Sequence, residues 1–112
     1  MARTRAVDFL VRHSPVAESV LAGRRAVAEM TERDREVARR LPDEFLKLSG
    51  TPAGRINKLV WRYWPQAAAP ARAELTQALL LVLRPLLAPG AGVTDQKRLT
   101  CEDIVASWLG RQ

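Results

Sequence analysis

Histidine, cysteine and clustered carboxylates are the side chains most readily turned to proton transfer, nucleophilic attack or metal ligation, and this sequence holds few of them. Its single histidine, His13, falls near the expected end of a first helix, where an imidazolium complements the helix dipole rather than shuttling protons. Its single cysteine, Cys101, follows Thr100, which the local pattern reads as a helix cap. Such a position can lower a thiol pKa, but no histidine stands near it in sequence, so the expectation is an inert thiol. Asp43 with Glu44 and Glu102 with Asp103 are adjacent acids expected in first helical turns, where capping and dipole effects account for them. Glu32, Asp34 and Glu36 alternate, and a helix would splay them apart instead of gathering them round a metal. No glycine-rich phosphate loop, zinc spacing or nucleophile elbow is present. The expectation is a protein without catalytic residues, metal, cofactor or small-molecule substrate.

Binding chemistry is better supplied. Residues 45–73 contain Lys47, Arg55, Lys58, Arg62 and Arg72 and not one acid. On a helical wheel of about 100° per residue, Ile56, Leu59, Val60, Tyr63 and Trp64 fill one apolar arc. Arg55, Lys58 and Arg62 group on an outer edge, and Trp61 lies outside the arc beside Lys58. Cations one turn apart can follow a phosphodiester backbone, and an adjacent indole can stack on an unpaired base. Two plainer readings stand beside these: another helix covers Trp61, and the basic edge serves only solubility. Residues 29–44 differ, with acids and arginines interleaved at helical pair spacing (Glu29 with Arg33, Glu36 with Arg40), a pattern that neutralises itself. A further basic set, Arg3, Arg5, Arg12, Arg24 and Arg25, has no position relative to this edge that sequence alone can assign.

The elements that must hold these residues are legible from their punctuation. Thr4 to His13 reads as a short helix, and Ser14-Pro15 opens a second. Thr31 with Asp34 resembles a capping box, opening a third helix to Arg40 or lying within a continued second one. Pro42 is expected to start the next helix, which Ser49-Gly50 ends. Thr51-Pro52 opens a helix to about Trp64, and Pro65 to Pro70 is the clearest break. An apolar helix follows from about Ala71 to Leu83, kinked at Pro85 and continued to Ala88. Thr100 is expected to cap the last helix, which Gly110 stops. No segment alternates like a strand. The expected fold is all-α, one compact bundle of five to seven short helices over residues 1–112.

Size and composition agree. With 112 residues, 47% hydrophobic and 27% charged, the chain suits one soluble domain. The most apolar run, Ala78 to Leu83, is far shorter than the ~20 residues of a membrane span. Residues 7–11 are too short and too charged for a signal sequence, and a lone cysteine favours a reducing, cytoplasmic setting. The net charge of +6 favours an anionic partner, although the excess of arginine (15) over lysine (3) is also what GC-rich coding produces.

Leu99 to Gly110 resembles the first helix and turn of a bacterial helix-turn-helix, but only Arg111 and Gln112 follow, so the likeness extends to capping alone. In size, helical content and the acid-free segment bearing Arg55, Lys58, Trp61 and Arg62, the chain resembles the small subunits of multi-subunit CRISPR interference complexes. That resemblance implies a non-catalytic RNA-binding or single-stranded-DNA-binding subunit that stacks along a ribonucleoprotein used in antiviral defence. It also implies contacts with neighbouring subunits, including copies of itself, with Trp64 and Trp108 as candidate anchors. The expected nucleic-acid contacts are Lys47, Arg55, Lys58, Trp61, Arg62 and Arg72. The alternative is a helical adaptor or inhibitor that docks an acidic protein.

Overall fold

A computed structural model of the chain describes residues 30–112. Both helices expected before Thr31 lie outside these residues, as do His13, Glu29 and the arginines at positions 3, 5, 12, 24 and 25. Four α-helices and one 3₁₀ turn make up the described residues, with no strand among them: α1 (Glu32–Lys47), α2 (Pro52–Tyr63), α3 (Ala69–Leu83), the 3₁₀ turn (Arg84–Leu87) and α4 (Asp95–Gly110). The expectation of five to seven helices exceeds this count, in part because two expected helices are one.

The merged helix is α1. Thr31 caps it, its Oγ1 accepting from the Asp34 N–H at 3.1 Å, as the capping-box reading requires. The expected restart at Pro42 does not occur, and Pro42 sits buried inside the helix. An interior proline removes one backbone hydrogen bond and crowds the preceding turn. Here Val37, Ala38, Leu41 and Phe45 carry one apolar stripe across Pro42 without interruption, and burying that stripe outweighs the local cost. Gly50, at φ 113°, turns the chain through left-handed backbone that side chains disfavour. Thr51 then caps α2, with the Gly54 N–H donating to its Oγ1 at 3.0 Å and Pro52 in the first turn, as the sequence predicts.

Helix α3 is the central element. It packs against α2, α4 and the 3₁₀ turn, which explains why its sequence is apolar nearly all round. The kink expected at Pro85 is the 3₁₀ turn itself. Helix α4 begins earlier than expected. Thr94, not Thr100, is its cap, accepting from the Lys97 N–H at 3.2 Å. Thr100 is buried mid-helix, where its hydroxyl donates to the Gln96 carbonyl at 2.7 Å. The extra turn supplies Asp95 near the helix N-terminus and Arg98, which spans to Asp43 of α1 at 3.5 Å.

One core joins all five elements, with Leu41, Phe45, Ile56, Leu59, Leu75, Leu79, Leu83 and Ile104 fully enclosed. Truncating any of these leucines to alanine costs about 2–5 kcal/mol. Trp64 and Trp108 meet edge to face, 5.7 Å between centroids. Their N–H groups donate to Asp34 Oδ1 at 3.1 Å and to the Ala71 carbonyl at 2.8 Å. Both rings are buried, so the expectation that they anchor contacts between copies is overturned: their apolar faces are spent on the core. No described helix is long and apolar enough to cross a membrane.

Candidate nucleic-acid interface

Helix α2 presents the arc that the wheel assigns to it. Ile56, Leu59, Val60 and Trp64 are buried and Tyr63 is half-buried, leaving Lys58, Trp61 and Arg62 exposed on the outer side. Arg55 and Arg62, seven residues apart, are separated by about 10 Å along the axis. Trp61 is 49% exposed, the most open of the large apolar side chains in the described residues. The reading in which another helix covers it holds in part, since Arg72 of α3 lies over the ring.

Tertiary packing changes the standing of each cation. Arg62 reaches back to α1, its guanidinium 3.4 Å from Glu44 Oε1. The same carboxylate oxygen accepts from the Tyr63 hydroxyl at 2.5 Å. Burial, then the hydrogen bond and charge of Glu44, push the Tyr63 phenol above its ordinary pKa. The acid-free stretch begins one residue after Glu44, and the fold returns that acid to its edge. Arg55 is half-buried: its Nε donates to the Gly50 carbonyl at 3.0 Å, and its guanidinium lies 5.5 Å from the Phe45 ring centroid. It closes the α1–α2 turn as much as it presents charge. Lys58 is exposed and forms no ion pair among the described residues. Lys47 is exposed too, but it ends α1, where a cation complements the helix dipole.

Arg72 departs furthest from expectation. Only 8% exposed, it is withdrawn from any phosphate. It donates to the Ala67 carbonyl and lays its guanidinium over the Trp61 ring, 3.6 Å from the centroid. The break between α2 and α3 thus folds so that α3 props the indole that α2 projects. Arg72 lies five residues on from Ala67 and eleven from Trp61, but Trp61 and Arg72 stand on different helices across the Pro65 to Pro70 break, so no single helix face signals the pairing.

The interleaved charges of α1 also pair differently from the sequence reading. The Glu36–Arg40 pair is not formed; Arg33 approaches Asp34 at 3.8 Å and the Tyr63 carbonyl at 3.4 Å, and its expected partner Glu29 lies outside the described residues. Glu102, expected in a first turn, is mid-helix and buried. It accepts from Arg39 at 2.6 Å and faces Arg35 at 3.8 Å, tying α4 to α1. Cys101 beside it is wholly buried, and desolvation pushes its thiol far above the ordinary value, opposite to the lowering a helix start would bring. A cleft of about 560 Å³ opens between Arg33, Trp64, Gln66, Trp108 and Gln112, and none of the six expected contact residues lines it. No group of three or more potential metal ligands occurs among the described residues.

No family model, curated protein or solved structure matches the chain.

Proposed function

We propose that the protein is a non-catalytic subunit that binds the backbone of RNA or single-stranded DNA along the outer edge of α2. The observation that carries this reading is the exposure of Lys58, Trp61 and Arg62 side by side on one helix edge. Lys58 and Arg62 supply the phosphate contacts, Arg55 contributes from its half-buried position, and Lys47 adds charge from the end of α1. Arg72 acts behind the surface rather than on it. The small helical subunits of CRISPR interference complexes remain the model for such a role, in which weak contacts become effective through neighbouring subunits.

The test is fluorescence anisotropy of a labelled single-stranded oligonucleotide across a salt series. Two or three phosphate contacts give a slope of log K against log salt of about −1.4 to −2.1. Lys58→Ala should flatten that slope by about 0.7. Binding that ignores salt, or no binding at low salt, refutes the reading. A stoichiometric complex with an acidic protein, purified free of nucleic acid, would replace it with the adaptor alternative.

A further inference from the structure

We infer that Trp61 and Arg72 form a preassembled stacking site for one unpaired nucleobase, so that the surface selects single strands over duplex. The inference rests on the nucleic-acid reading above and adds the ligand class that the edge of α2 accepts. An exposed tryptophan on a helix is ordinarily a mobile side chain, and its ordering opposes binding. Here one face of the indole is held by a guanidinium at 3.6 Å. That guanidinium is itself fixed, because Arg72 is 8% exposed and donates to the Ala67 carbonyl. The ring is nonetheless 49% exposed. The geometry is that of a plate bolted on one side and open on the other.

The chemistry of the open side favours a base over an apolar side chain. Arg72 places positive charge against the ring, and Lys58 and Arg62 flank it on α2, so anything seated there meets cations beside a flat π-surface. An unpaired base with its phosphates answers both features at once. A paired base does not, because its faces are occupied within the duplex. Arg72 is accordingly a positioning residue, acting through Trp61 without touching the ligand.

The test uses the full chain with a short oligoadenylate and a duplex of equal length, read by tryptophan emission and by affinity. Trp64 and Trp108 are buried, so quenching by the oligoadenylate should arise from Trp61 and disappear in Trp61→Phe. Trp61→Ala should weaken single-strand binding about five- to hundredfold and leave duplex binding unchanged. Arg72→Lys keeps the charge but loses the planar stack, and should reduce the quench with far-ultraviolet dichroism unaltered. If single strand and duplex bind equally and Trp61→Ala alters neither, the stacking site is refuted while backbone binding stands. If no nucleic acid binds, both readings fall. If Trp61→Ala instead releases a protein partner, the indole is a protein contact and the inference is overturned.

Discussion

Replacing Glu102 by glutamine tests how α4 is held to α1. The Glu102 side chain is 7% exposed, with Arg39 at 2.6 Å and Arg35 at 3.8 Å. Breaking a fully buried ion pair costs about 3–5 kcal/mol, chiefly through the charge left behind. Arg39 is half exposed and can return to water, so the loss here is nearer that of a hydrogen bond to a charged group, about 1.5–3 kcal/mol. Had Glu102 stood in a first turn, as its sequence context suggests, the loss would be about 0.3–1 kcal/mol and independent of Arg39. The assay is urea unfolding of the wild type, Glu102→Gln, Arg39→Met and the double variant. With an m-value of about 1–1.5 kcal/mol/M for a chain of this size, the bridge predicts a midpoint lowered by at least about 1 M. The double-mutant cycle should return a coupling of about 1 kcal/mol or more. A loss below about 0.5 kcal/mol, or zero coupling with Arg39, would refute the assignment of Glu102 as an interhelical bridge.

Other consequences are as direct. Native Cys101 should resist thiol reagents, reacting at the rate at which the bundle opens, and rapid labelling of the folded chain would contradict its burial. Above the ordinary thiol value the unfolded chain releases protons that folded Cys101 and Tyr63 retain, so the unfolded state binds fewer protons and stability falls as pH rises. For Cys101 the slope approaches about 1.4 kcal/mol per pH unit, Tyr63 adds a fall of the same sign only above its own ordinary value, and unfolding curves that coincide from about pH 8.5 upward would be inconsistent with it. Tyr63→Phe removes a donor from Glu44, while Arg62 continues to pair with it. About 1 kcal/mol should be lost in denaturant titration, and an unchanged midpoint would count against the hydrogen bond.

Legibility in the sequence followed distance along the chain. Thr31, Thr51, Gly50 and the Pro65 to Pro70 break are local signals, because a cap or turn is completed within about three residues. The apolar arc of α2, with Trp61 outside it, was readable for a related reason, since helical geometry alone decides which residues share a face. Whether another element covers Trp61 was not readable, because that depends on tertiary packing. Pro42 and Thr100 misled because each is a strong local signal overruled by burial. At Pro42 the stripe from Val37 to Phe45 holds one helix together, and at Thr100 the earlier cap at Thr94 makes its hydroxyl an interior group.

The acid-free, basic character of the segment that carries α2, with an aromatic on its outer edge, belongs to the sequence itself, because composition and a 3.6-residue period suffice to define it. Which of its charges remain available was decided only in three dimensions. Glu44 returned to pair with Arg62, whose side chain stays 52% exposed, and Phe45 and the Gly50 carbonyl engaged Arg55. Arg72 left the surface to brace Trp61. Each of these pairings joins residues beyond the reach of helical neighbours or across a turn. The energy of a charge depends on what the packed chain sets against it.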